Sequence, residues 1–437
     1  MRFFPRQTGP APRADYVLCM ARADYRHAAS GLEKYLREEI ELLARAGLSA
    51  VCVFPFRTRR NRAVDAWLSQ YWGVVVDGAW RGFCRAADLA GWLADWRRNG
   101  RGLREIQLHH VQDYPLALLA DFLAAVPAPV RLFIHDYHVV CAQYNLLRNG
   151  QVFCGPTAPS AEKCAGCRSW DPAYHPAWRA FLESLRGRLE IWAPSAAAER
   201  VVVGAFPEWA GHVRVVPHWR AVGPAAEPRP APGETLKIAF VGAPSPAKGW
   251  DVFLRLRERL ATRGASYEFI HFGRPARKGP ARVRTVPVSV VRDGREAMTA
   301  ALRKAGVDFV LLWSICPETF SYVLYECLQA GAMVLTHPDS GNVADEVRRS
   351  DVGIVLADER ELRDYLADGA RVRADVLRCR RESLARFGTM AVNEEILRWI
   401  PPAAAADLPA RKRSSPARLV GGLYALKRAL RRWGRAR

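Results

Sequence analysis

With 437 residues, half of them hydrophobic and a quarter charged, the chain is too long for one ordinary core and too apolar for a disordered polymer; two domains or one large α/β unit are expected. Its 65 Lys and Arg against 44 Asp and Glu give a formal charge of +21, which suits nucleic acid, anionic lipid or a phosphate-rich substrate. No run of eighteen apolar residues occurs, and the start Met1-Arg-Phe-Phe-Pro-Arg6 lacks a signal-peptide core, so the expectation is a cytoplasmic protein rather than a spanning or secreted one.

In chain order, the apolar run Tyr16 to Met20 predicts a strand, and the spacing of Leu32, Tyr35, Leu36, Ile40, Leu42 and Leu43 predicts a helix from Gly31 to Ala46. Val51 to Phe54 follows as a strand. Ile106 to Leu108, running into His109-His110, and Val130 to Ile134, running into His135-Asp136, read as buried parallel strands with polar residues at their carboxyl ends, where open α/β sheets bind ligands. Ile191 to Ala193 and Val213 to Val216 are the last strands expected before Ala221 to Thr235, a stretch with four prolines that reads as a linker.

After the linker the rhythm restarts: strand Lys237 to Val241, helix Trp250 to Arg263, strand Tyr267 to Phe272, helix Arg295 to Ala305, and strand Asp308 to Trp313. Helix Phe320 to Ala330, strand Met333 to Thr336, a short helix near Asn342 to Arg349, and strand Val352 to Leu356 complete it. The fold class is α/β, with two Rossmann-like doubly wound domains facing across a cleft. The expected divisions are 1–220, a linker at 221–235, a second domain at 236–400, and a basic tail at 401–437.

Trp313-Ser-Ile-Cys-Pro-Glu-Thr-Phe-Ser-Tyr-Val-Leu-Tyr-Glu-Cys-Leu-Gln-Ala-Gly331 puts Glu318 at a strand-to-helix turn and Glu326 in the helix beyond it. If the whole interval were helical, their backbones would stand roughly 12 Å apart, about the reach of a folded nucleotide sugar from hexose to ribose. Pro317 suits the helix entry, and the amides of Phe320, Ser321, Tyr322 and Val323 form an anion site. Taken alone, the two glutamates read as a helix-start acid and an ordinary amphipathic-face residue.

The stretch resembles the Glu-(seven residues)-Glu motif of glycosyltransferase family 4, including the trailing Ala330-Gly331, strand Val334-Leu335 and the loop Asp339-Ser-Gly-Asn-Val-Ala-Asp-Glu346. Phe240-Val-Gly-Ala-Pro-Ser-Pro-Ala-Lys-Gly249 resembles the same family's Gly-Arg-x-Ser-x-x-Lys-Gly turn. The resemblance implies a GT-B fold, a nucleotide-diphosphate-sugar donor, retention of anomeric configuration, and no metal or other cofactor required for catalysis. It assigns Glu326 to the ribose, Glu318 to the donor sugar near the reaction centre, and Lys248 with Gly242 to the diphosphate. His135 would lie over the donor sugar as a second catalytic residue. Gly31 falls where the family has its first glycine-rich loop, and with His110 and Asp136 it belongs to the acceptor side. Ala243 stands where the family commonly has Arg, so half of the usual basic clamp is missing, and Arg274 is a substitute or a plain loop residue. Ser195 lacks a nucleophile elbow and reads as a strand-end cap.

Four of the ten cysteines, Cys141, Cys154, Cys164 and Cys167, fall within 27 residues, and Cys164-Ala-Gly-Cys167 has knuckle spacing. Three readings stand: a structural zinc ordering an insertion at about 141–175 that overhangs the acceptor cleft, a metal-free loop of incidental thiols, or a disulfide formed only outside the cell. In the tail, Pro409 to Arg437 holds ten basic residues and no acidic one, and Leu419, Leu423, Leu426, Leu430 and Trp433 share a helical face. That predicts an amphipathic helix on the anionic inner face of a membrane, bringing the enzyme to a glycan or lipid-linked acceptor in cell-surface polysaccharide synthesis, a helix that docks its apolar face on the protein, or a disordered solubilising tail. The rival functions are an inactive relative retained for assembly, which Ala243 favours, a sugar-nucleotide epimerase of the same fold, and a zinc-knuckle nucleic-acid-binding protein. The concentration of basic charge in one tail disfavours the last, so no nucleic acid partner is expected.

Overall fold

The computed structural model describes residues 11–27, 30–57, 62–225, 229–261, 267–274 and 283–403. The tail helix expected beyond residue 403 lies outside them. No helix of the described residues is long and apolar enough to cross a membrane.

Apolar runs set the first sheet. Strands β1 (Tyr16–Met20), β2 (Ser49–Pro55), β3 (Tyr71–Val76), β4 (Ala79–Arg85), β5 (Leu103–Leu108) and β6 (Val130–Phe133) belong to it. After a separate small hairpin, β7 (Leu147–Arg148) with β8 (Val152–Phe153), come β9 (Leu189–Ala193) and β10 (Val213–Val215). The order is β10-β9-β6-β5-β1-β2-β3-β4. All pairings are parallel from β10 to β2, whereas β3 and β4 extend the sheet antiparallel. β1 and β2 are buried along their whole length, as parallel strands covered on both faces must be.

The second sheet is wholly parallel. Its strands are β12 (Leu236–Val241), β13 (Tyr267–Phe272), β14 (Arg284–Val286), β15 (Phe309–Leu312), β16 (Met333–Thr336) and β17 (Gly353–Val355), in the order β14-β13-β12-β15-β16-β17. That is the doubly wound arrangement, and the chain reverses its direction of winding between β12 and β15, where a crevice opens at the carboxyl ends. In the first sheet the corresponding point lies between β1 and β5.

The expected linker is shorter than its proline content implied. β11 (Trp219–Gly223) is a strand, paired antiparallel with β18 (Thr389–Val392), so Ala221 to Gly223 are hydrogen-bonded structure and not free connection. The chain therefore crosses between the halves twice. On the second crossing, Leu397 and Ile400 pack against the first half's core, and Arg131 Nη2 donates to the Trp399 carbonyl at 2.8 Å. One apolar cluster runs through the boundary, joining Tyr35, Phe133 and Trp192 of the first half to Phe320, Tyr322 and Leu324 of the second.

Candidate active site

The crevice of the second sheet is made by two loops. The one after β12 starts at Gly242 and ends at Gly249, both at positive φ (107° and 80°). A Cβ on Gly249 would stand 2.4 Å from the Trp313 carbonyl, so only glycine lets this loop lie on the one after β15. Two hydrogen bonds fasten the loops: Ile315 N and Ser314 Oγ each donate to the Ala247 carbonyl at 3.1 Å. Lys248 and Glu318 are thereby brought into a direct ion pair, and Glu318 Oε1 lies 2.8 Å from Ser314 Oγ. Glu318 is mostly covered, while half of the Lys248 side chain remains exposed.

The Glu318 backbone is clamped as well. Its N–H donates to the Ser340 carbonyl, and its own carbonyl accepts from Asn342 N at 3.0 Å. Gly341 makes that clamp fit, because a Cβ there would lie 2.7 Å from Glu318 N and Pro317 Cα. His271, within β13, bonds the Gly242 carbonyl at 2.9 Å and so anchors a loop, and Arg274 is exposed beyond the strand.

The helix after Glu318 begins later than expected, at Tyr322, and runs to Gln329. Ser321 is its N-cap, with Oγ accepting from Leu324 N, and the Ser321 amide is itself taken by Asn342 Oδ1 at 3.1 Å. Of the four amides expected to face an anion, that of Ser321 is therefore already engaged. The interval from Glu318 to Glu326 is only partly helical, so the 12 Å separation drawn from a continuous helix does not apply.

Glu326 is buried and paired. Lys34 Nζ reaches its Oε1 at 2.7 Å and also stands over the rings of Trp219 (4.2 Å) and Tyr322 (4.6 Å). Burial raises the Glu326 carboxyl pKa, with Lys34 opposing it. Gly31, expected in a glycine-rich loop, is instead the first residue of the Gly31–Arg45 helix, which Ser30 and Glu33 cap reciprocally. A Cβ on it would only touch the Tyr322 ring, at 3.7 Å.

His135 follows β6, and two hydrogen bonds bind its loop to the Glu318 loop: Thr319 Oγ1 donates to the His135 carbonyl and Ser195 Oγ to the Thr319 carbonyl, each at 2.8 Å. Ser195, expected as a strand-end cap, is the N-cap of the Ala196–Ala205 helix that follows the strand. Around the His135 ring lie Tyr35 (5.0 Å) and His218 (5.2 Å), and its Nε2 meets His109 Nδ1 at 3.1 Å. Burial and the neighbouring His218 hold the His135 imidazole well below its ordinary pKa, and burial takes that of His218 down to about 3.

Beside it, Asp136 lies between His110 Nε2 (2.9 Å) and His138 Nδ1 (2.8 Å), whose rings stack at 4.4 Å. Against burial, the two imidazoles hold the Asp136 carboxyl well below its usual range. Among the described residues these three form the group of His, Cys, Asp or Glu whose ligand atoms all lie within 4.8 Å of one another.

The four clustered cysteines are free thiols that do not converge to that closeness. They are near enough to act on one another: burial, and after it Cys164, Cys167 and Cys154, raise the Cys141 thiol pKa. Hydrogen bonds order the insertion, with Asn149 Nδ2 donating to the Gly166 carbonyl and Lys163 Nζ to Thr157 Oγ1. It adjoins the His138 turn, where Tyr174 Oη donates to the His138 carbonyl at 2.6 Å.

Lys34, Gln107, His218 and Ser314 carry much of this geometry and were not singled out from the sequence. His218 had a usable signal, Pro217-His218 directly after a strand end.

No protein-family model matches the chain, and no curated protein matches it. Solved structures do. A glycosyltransferase from Rickettsia africae superposes with a TM-score of 0.52 at 11% identity, covering 86% of this chain and 94% of that one. Sucrose-phosphate synthase from Thermosynechococcus elongatus gives 0.51 at 14% identity, covering 95% and 100%. Anabaena HepE, solved with UDP and glucose, gives 0.50 at 13%, covering 85% and 95%. The fold is the GT-B fold of these glycosyltransferases, with two Rossmann-like halves.

Proposed function

We propose that this protein is a retaining glycosyltransferase of family 4, moving a sugar from a nucleotide-diphosphate-sugar donor to a glycan or lipid-linked acceptor in cell-surface polysaccharide synthesis. The observation that carries the reading is the meeting of Lys248 and Glu318 at the winding reversal of the second sheet, on a loop hydrogen-bonded to that of His135. This is where doubly wound sheets receive nucleotides. HepE's bound UDP and glucose agree with a nucleotide-sugar ligand for the fold.

In this reading the diphosphate takes the Lys248 ammonium, which is exposed enough to be shared, and releases the Glu318 carboxylate toward the sugar. Negative charge grows on the departing diphosphate as the glycosidic bond breaks, and a fixed cation there stabilises the transition state more than the ground state. His135, held neutral, faces the sugar from the first half as a hydrogen-bonding group. The His110–Asp136–His138 cluster lies on the acceptor side. The ten basic residues of Pro409 to Arg437 suit attachment to an anionic membrane carrying a lipid-linked acceptor.

The test is a thermal-stabilisation screen of nucleoside diphosphates and their sugars, since a ligand bound only by the folded state raises stability with the logarithm of its saturation. Radiolabelled donor then reports the chemistry. Label on an acceptor supports transfer, and isomerised sugar nucleotide would replace it with epimerisation. No stabilisation by any nucleotide or nucleotide sugar would overturn the reading.

A further inference from the structure

Strand β5 and the residue after it place Glu105, Gln107 and His109 two apart, on one face of the sheet. Gln107 is in register with Arg131 of the neighbouring β6, and two residues beyond β6 stands His135. We propose that His109 is a positioning residue, the last link of a buried hydrogen-bond relay from the Arg131–Glu105 pair that fixes His135 as its Nε2–H tautomer. The proposal rests on the reading of His135 as the group facing the donor sugar.

Direction can be assigned along the chain of contacts because its first members have fixed roles. A guanidinium only donates, so Glu105 Oε1, 2.7 Å from Arg131 Nη1, is an acceptor. Gln107 meets the same oxygen at 2.7 Å and must turn its NH₂ toward it. The Gln107 carbonyl oxygen then faces the other way, accepting from Cys19 Sγ at 3.3 Å and lying 3.1 Å from His109 Nε2. An amide oxygen cannot donate, so His109 Nε2 carries the hydrogen. Glu39 Oε2 stands 3.2 Å from that nitrogen, but neither of its carboxyl oxygens has hydrogen-bond geometry to a partner.

His109 is fully buried. Burial, His135 and Arg131 keep its imidazole neutral, so it has one N–H and its Nδ1 is a lone pair. That lone pair faces His135 Nε2 at 3.1 Å. His135, also held neutral, must therefore place its own hydrogen on Nε2, which leaves Nδ1 as an acceptor. Toward a sugar, the free nitrogen of His135 accepts from a hydroxyl and cannot donate to a ring or carbonyl oxygen. The relay thus sets the polarity of one donor contact from a fixed ion pair two strands deep.

Selective ¹⁵N labelling of the ten histidines, with His135 assigned by a His135→Gln variant, reads the tautomer in the unliganded protein by long-range ¹H–¹⁵N correlation. The expected result is a protonated Nε2 and a bare Nδ1 on His135 at neutral pH. In His109→Phe the His135 signals should move to mixed tautomers and kcat should fall about tenfold with donor KM little changed, as for one lost hydrogen bond. His109→Gln, which can still offer an acceptor, should restore both. A wild-type His135 protonated on Nδ1, or a His109→Phe spectrum unchanged at His135, would overturn the relay. The wild-type spectrum needs no variant to fold. It is also independent of turnover: the expected tautomer without sugar transfer keeps the relay and removes the transferase reading, and the opposite pairing does the reverse.

Discussion

Lys34 and Glu326, 292 positions apart, meet at 2.7 Å between the two halves, with side chains only 11% and 5% exposed. The pair is a bond between halves placed on the glutamate that the family resemblance assigns to ribose. Removing one partner leaves a buried charge without compensation. Lys34→Ala should cost about 3–5 kcal/mol in denaturant unfolding, whereas the double variant Lys34→Met with Glu326→Gln should cost far less. A double-mutant cycle showing no coupling would refute the pair's role.

At the Lys248–Glu318 pair the expected effects are on turnover. Glu318→Gln keeps the shape and loses the charge. It should lower kcat by about 10²–10³, the size seen when a transition-state electrostatic contact is removed. Lys248→Ala should weaken nucleoside-diphosphate binding in calorimetry as well as lowering kcat. Wild-type affinity for the diphosphate in that variant would place the anion elsewhere.

Gly341→Ala should disturb Glu318 without touching its side chain. At φ 61° the new Cβ would press on Glu318 N, Glu318 O and Pro317 Cα at 2.7–2.8 Å. Gly47→Ala is the control, since its φ is 75° but nothing lies within 4 Å, so it should show only the left-handed strain of about 1–2 kcal/mol. Gly341→Ala should lose more stability than that, and transfer activity in proportion. Equal effects from both substitutions would mean that the 340–342 clamp does not hold Glu318.

Acid should destabilise the seam. His109, His135 and His218 all have lowered pKa values in the fold, His218 from 6.5 to about 3, so below pH 6.5 the unfolded chain binds protons that the native state refuses. Stability is therefore lost as pH falls from about 6.5, with a slope near 1.4 kcal/mol per pH unit for each such histidine. Chemical denaturation at pH 7, 6 and 5 reads this slope, and His218→Phe should lessen it by one histidine's share. A slope unchanged by that variant would show that His218 takes up a proton in the native state.

Much of the fold was written in local pattern. Runs such as Tyr16 to Met20 and Ile238 to Val241 are apolar throughout because parallel strands are covered on both faces, and the polar residues that end them mark the carboxyl edge. β11 was hidden because its exposed residues pair through backbone with β18, leaving no apolar alternation among the prolines. Helix entry at Tyr322 depended on a serine cap and an asparagine 21 positions later, a tertiary choice. The glutamates and Lys248 could be picked out from motif spacing. Their partners could not: Lys34, Ser314 and Gln107 are ordinary residues until the fold brings them to an otherwise uncompensated charge or an unpaired ring nitrogen.

The paired crossing of β11 and β18 gives the molecule a property that its order of segments conceals. A single proteolytic cut between Pro224 and Ala225 would not part the two halves. The second fragment would still hold β18 on β11, Leu397 and Ile400 in the first half's core, and the Trp399 carbonyl on Arg131. The protein is stitched rather than hinged on one thread, and a nicked sample should migrate as one particle until it is denatured.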